Sequence, residues 1–165
     1  MEDTWTFEHN GARFVATVER DEHMGAPWDE HDGHGVVSEW TTRAKAPSEL
    51  ILSESRGSYR YYDFAESCRI ARRDGWDSKP YNTGQESKRQ QAAKAARSDY
   101  EHLRRWCNGD WFWCGVIVTP ICPECDEPDE SRAESLWGIE SDAGEYLKEV
   151  AIELAGQVGP RTLAA

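Results

Sequence analysis

The chain has 165 residues, a formal charge of −12 and five cysteines. That length suits one domain able to bury a core, and no run of about 18 apolar residues exists to cross a membrane. The amino terminus carries no basic, apolar leader, so the expected setting is cytoplasmic, with cysteines held as thiols or metal ligands rather than as a disulfide framework. Leu, Ile, Val and Phe supply only 25 residues, but eight Trp and six Tyr replace them, and the expected core is aromatic-rich.

Charge is divided along the chain. Residues 1–42 carry ten acids and two bases, 43–107 nine acids and fourteen bases, and 108–165 twelve acids and three bases. One reading has the basic middle packing against the acidic ends; the other has an acidic field that repels nucleic acid and attracts basic protein surfaces.

In chain order, Thr4 to His9 and Ala12 to Glu19 flank Asn10-Gly11, the pair that a type I′ hairpin turn requires. A two-residue loop sets Phe7 opposite Phe14, Trp5 opposite Ala16 and Glu8 opposite Arg13. Residues 21–48 show no sustained period and read as a long surface loop. Glu49 to Ser53 and Ser58 to Tyr62 bracket Arg56-Gly57 as a second hairpin. Asp63 caps a helix over 64–74 that Gly75 closes. Thr83-Gly84-Gln85-Glu86 repeats the capping pattern before the stripe Ala92, Ala96, Tyr100, Leu103, Cys107, and Asn108-Gly109 ends this longest helix. Its opposite face carries Lys94, Arg97, Arg104 and Arg105. Trp111 to Val118 is apolar on both alternating faces, as a central strand is, and Leu136-Trp137-Gly138-Ile139 can pair with it. Residues 120–134 form a second long loop. Ser141 and Asp142 open a last helix, with Leu147, Val150, Ala151 and Leu154 inward and Gly159-Pro160 as its stop. The expected fold is α+β: one antiparallel sheet of five or six strands, made of two hairpins and a central pair, with three helices packed on it.

Three constellations could carry function. The first is Trp28-Asp29-Glu30-His31-Asp32-Gly33-His34, where imidazoles and carboxylates on a glycine-freed backbone could hold a divalent metal through His31, Asp32 and His34, with Glu30 as general base. The same loop can instead bind a partner, with Trp28 and Trp40 as anchors. The second is Cys122-Pro123-Glu124-Cys125, which resembles a zinc knuckle but has Asp126 where a knuckle has Gly. Cys107 and Cys114, the remaining thiols of a four-cysteine site, fall at a helix end and in mid-strand. The third is the acidic stretch 124–134, whose Glu124, Asp126, Glu127, Asp129 and Glu130 could dock into a basic groove. A basic, aromatic-flanked helix face can bind single strands, but a charge of −12 opposes direct nucleic-acid binding. Phosphate-loop, nucleophile-elbow and helical zinc-protease motifs are all lacking.

Gly25-Ala26-Pro27-Trp28-Asp29-Glu30-His31-Asp32-Gly33-His34-Gly35, Asp74-Gly75-Trp76, Trp106-Cys107-Asn108 and Ser135-Leu136-Trp137-Gly138-Ile139-Glu140-Ser141 together resemble a group of small acidic proteins encoded by phages and prophages. The resemblance spans most of the chain and carries over no catalytic residue. It implies a cytoplasmic protein of an infected or lysogenic bacterium that acts by occupying a host or phage protein, including a defence nuclease. The leading expectation is therefore a non-catalytic acidic phage protein without a cofactor, acting as an anti-defence inhibitor of a nucleic-acid-binding complex. The alternatives are a metal-dependent hydrolase or nuclease built on His31, Asp32 and His34, and a structural or regulatory phage protein.

Overall fold

The computed structural model describes residues 3–76 and 83–158. The chain forms two compact units, one from residues 1–24 with 111–165 and one from 25–110. The class is α+β, but the seven strands among the described residues are shared between two antiparallel sheets of four and three rather than gathered into one. The reason is local. Each hairpin finds a different partner: the first pairs with the long apolar strand, the second with a two-residue strand from the expected loop.

In unit 1 the order is β1-β2-β6-β7, with β1 at Asp3–His9, β2 at Ala12–Arg20, β6 at Trp113–Pro120 and β7 at Glu134–Glu140. The first hairpin has the expected register, Phe7 with Phe14, Trp5 with Ala16 and Glu8 with Arg13. Asn10 and Gly11 both take positive φ, +50° and +77°, as the type I′ turn demands. Strand β6 is buried almost throughout and lies between β2 and β7, as its two apolar faces imply. Helix α4, Glu145–Gln157, sets Val150, Ala151, Leu154 and Ala155 against Phe14, Ala16, Val18, Val116 and Val118. It starts later than expected, because the Ser141 hydroxyl is engaged elsewhere and accepts the Phe112 amide at 3.0 Å. The expected stop at Gly159-Pro160 lies outside the described residues.

In unit 2 the order is β3-β5-β4, with β3 at Val36–Val37, β4 at Glu49–Ser55 and β5 at Ser58–Asp63. The expected loop 21–48 is not featureless. It holds one helical turn, α1 at Pro27–Glu30, as well as β3, and Thr41 bridges to Tyr59. Helix α2, Phe64–Asp74, has the expected Asp63 cap and closes on Gly75 at φ +66°. Helix α3, Lys88–Cys107, is capped by Ser87 and Gln90, not by Thr83 and Glu86. Both pairs have capping-box spacing, and the Thr83 amide does donate to Glu86, but only Ser87 is followed directly by helix. Ala71, Ala92 and Ala95 bring α2 close to α3, and Leu52, Tyr62, Tyr100 and Leu103 form the main core.

Candidate functional site

The three acids and histidines expected to share a metal are separated by the fold. Asp29, Glu30, His31 and Asp32 are exposed, and Glu30 accepts the Gly25 amide at 2.8 Å. Only His34 turns inward. Its Nδ1 lies 2.7 Å from Oδ1 of Asp99 on α3, with the two side chains 17% and 9% exposed. Among the described residues no group of three or more His, Cys, Asp and Glu is gathered to hold a metal.

Asp99 organises this part of unit 2. Its second oxygen accepts the Gly35 amide at 2.8 Å and the Tyr62 hydroxyl at 2.8 Å, and the Tyr62 hydroxyl also lies 3.1 Å from the Ala96 carbonyl. Burial, followed by the Asp99 charge, pushes the Tyr62 phenol far above its ordinary range, so it stays a donor. The Val36 amide donates to Ser67 Oγ at 3.0 Å. Gly35 is obligatory here: a Cβ would sit 2.3 Å from Ser67 Oγ and 2.4 Å from Tyr62 Oη. A carboxylate only accepts, so His34 Nδ1 is the donor in this pair. The His102 ring lies nearly parallel at 6.4 Å, and an open groove of about 620 Å³ runs past Gly33, Trp76, Ser98, Asp99, His102 and Arg105.

Asp99, Tyr62, Ser67 and His102 were not among the residues singled out from sequence. The signal for Asp99 was present. Positions 92, 96, 99 and 103 fall on one helical face, so Asp99 interrupts an otherwise apolar stripe, and a carboxylate there requires partners.

Trp28 and Trp40 both lie against one arginine. Arg60 on β5 places its guanidinium 5.1 Å from the Trp28 ring and 5.1 Å from the Trp40 ring. Trp28 is half-buried, edge-on to Trp106 at 5.5 Å, whereas Trp40 is 45% exposed. In the same unit Arg43 grips the buried Glu49 through two bonds of 2.6 and 2.7 Å. Those bonds hold the Glu49 carboxyl down at about 2.

In unit 1, Glu124, Asp126, Glu127 and Glu130 are exposed and Asp129 is half-buried, with Asp126 paired to Arg13. All five cysteines are thiols. Cys114 is buried in the core beneath α4, where burial pushes its thiol up to about 11. Cys122 and Cys125 come together at a turn. The Glu127 amide draws the Cys125 thiol down, but the adjacent Cys122 thiol, desolvation and the Glu127 carboxylate together outweigh it and leave Cys125 raised.

The units divide the charge sharply. Unit 1 has 17 acids and five bases, and so the whole net charge of −12, while unit 2 has 14 of each. Bases of unit 2 find acids within it, as in Arg43 with Glu49, Lys94 with Glu86 and Arg97 with Glu101. Among the described residues no helix is long and apolar enough to cross a membrane. No family model, curated protein or solved structure matches the chain.

Proposed function

We propose that the chain is a non-catalytic acidic phage protein that occupies the basic surface of a host or phage protein, the expected target being a nucleic-acid-binding complex of host defence. The observation that carries this reading is the confinement of the entire −12 to unit 1, with Glu124, Asp126, Glu127 and Glu130 exposed on one short segment. Such a field accelerates encounter with a basic partner and opposes phosphate backbones. Within unit 2, the exposed Trp40 beside the Arg60 guanidinium is an aromatic group of the kind that anchors interfaces. The phage setting rests on the resemblance drawn from sequence. The test is capture by tagged wild type and by a variant with Glu124, Glu127 and Glu130 all changed to Gln, from phage-infected bacteria, at rising salt. A wild-type partner with a basic surface, lost from the variant and released from wild type as the screening length shrinks below about 8 Å, is the expected result. Identical, salt-resistant recovery by both proteins would sink the idea.

A second reading is favoured by the His34 and Asp99 pair alone. A carboxylate bonded to one imidazole nitrogen orients the ring for general-base work by the other, so a hydrolase built on this pair would use His34 without the His31 and Asp32 metal set first expected. It predicts hydrolysis of a phosphodiester or ester probe in the presence of chelator, reduced at least about a hundredfold by His34→Gln. Equal rates for wild type and variant across such probes would remove it.

A further inference from the structure

The Cys122 to Glu127 segment closes on itself. Ile121 pairs with Pro128, the Cys122 amide donates to the Glu127 carbonyl at 2.8 Å, and the Asp126 amide donates to the Cys122 carbonyl at 2.9 Å. The closure depends on Asp126, which takes φ +60°, the left-handed conformation that Gly adopts freely and Asp tolerates better than most residues. Asp126 thus adopts the left-handed conformation for which a knuckle uses Gly.

Two consequences follow for the thiols. Cys122 and Cys125 are brought into hydrogen-bond contact, and the Glu127 amide points at the Cys125 sulfur. Two cysteine sulfurs spaced by two residues on such a turn are the ordinary half of a tetrahedral zinc shell. The other half is not supplied by this chain among its described residues, since no third His, Cys, Asp or Glu joins them and Cys114 of the same unit is locked in the core. Cys125 is exposed, so the pair opens outward.

We propose that the Cys122-Pro123-Glu124-Cys125 turn is half of a tetrathiolate zinc site, completed by the same turn of a second copy of the chain. Two identical half-sites supply four sulfurs around one two-fold axis, the simplest symmetry for a homodimer. The metal is required for this contact because unit 1 is strongly acidic, and two such units repel at low salt. Arg13, paired with Asp126, offsets one of the acids that would otherwise crowd the junction. The dimer accordingly tightens as salt rises, opposite to the salt response of docking on a basic partner.

The test is elemental analysis together with sedimentation of the full chain, purified reduced and titrated with zinc, and with cobalt for its thiolate charge-transfer absorption. One zinc per two chains, a dimer that chelator returns to monomer, and tetrahedral thiolate absorption with cobalt are expected. Cys122→Ser and Cys125→Ser should each abolish dimer and metal together, while Cys68→Ser leaves both intact. Asp126→Gly should retain the site, and Asp126→Val, which resists positive φ, should weaken zinc uptake about tenfold. A monomer that takes up no zinc, a monomer binding one zinc per chain, or a dimer that persists when both cysteines are replaced would each overturn the proposal.

Discussion

Unit 1 and unit 2 are stabilised and charged in opposite ways. Unit 1 has an apolar interior, with the strands β2 and β6 against α4, and places its charge outside. Unit 2 is neutral overall, and its interior includes a polar knot of His34, Gly35, Tyr62, Ser67 and Asp99. An apolar core is sensitive mainly to lost volume. A polar knot is sensitive to single atoms, because every donor left unpaired there keeps its full desolvation cost.

The largest effect that would sharpen this contrast is expected from Gly35→Ala. Its methyl group would lie 2.3 Å from Ser67 Oγ and 2.4 Å from Tyr62 Oη, so the loop must leave the knot. A loss of about 3 kcal/mol is expected in denaturant unfolding. A variant within about 0.5 kcal/mol of wild type would show that the knot is slack. Asp99→Ala comes next. It strands the His34, Gly35 and Tyr62 donors and should cost about 2–3 kcal/mol, with hydrogen exchange rising at Gly35.

Acid separates the units on a smaller scale. The Glu49 carboxyl is held at about 2, chiefly by its hydrogen bonds to Arg43, below its ordinary 4.5. A lowered carboxylate contributes stability that is complete above its unfolded value and is lost as pH falls through the folded one. Unit 2 should therefore lose on the order of 2 kcal/mol between about pH 4.5 and 2, discounted for the half-exposed Arg43. Glu49→Gln should flatten that decline in an acid titration followed by tyrosine and tryptophan fluorescence. The smallest effect is expected from the triple change of Glu124, Glu127 and Glu130 to Gln. These exposed side chains support no core, so stability should move by less than about 0.5 kcal/mol while binding to a basic partner falls. A large stability change would mean that the acidic segment is structural.

Local signals were legible without the structure. Asn10-Gly11 dictated both its turn and the register of seven residue pairs, because a two-residue loop leaves one alignment. Asp63 and Gly75 marked the ends of α2, since a cap needs an acceptor at one end and positive φ at the other. The ends of α3 and α4 were less legible. Two capping boxes lay in tandem before α3, and Ser141 was diverted to the Phe112 amide before α4.

What the sequence determined by itself was the inventory: the α+β class, the hairpins, the central strand, the acidic excess and the loop containing His34. Tertiary structure decided the grouping. It divided the strands between two sheets, and it turned His34 away from His31 and Asp32 toward Asp99, 65 positions later in the chain. It also put Asp126 in a glycine's conformation. Turns and caps are set by bonds spanning a few residues, which the order of residues encodes directly. A buried carboxylate is satisfied by whichever donors the packed elements bring within about 3 Å, and that choice exists only once the chain has folded.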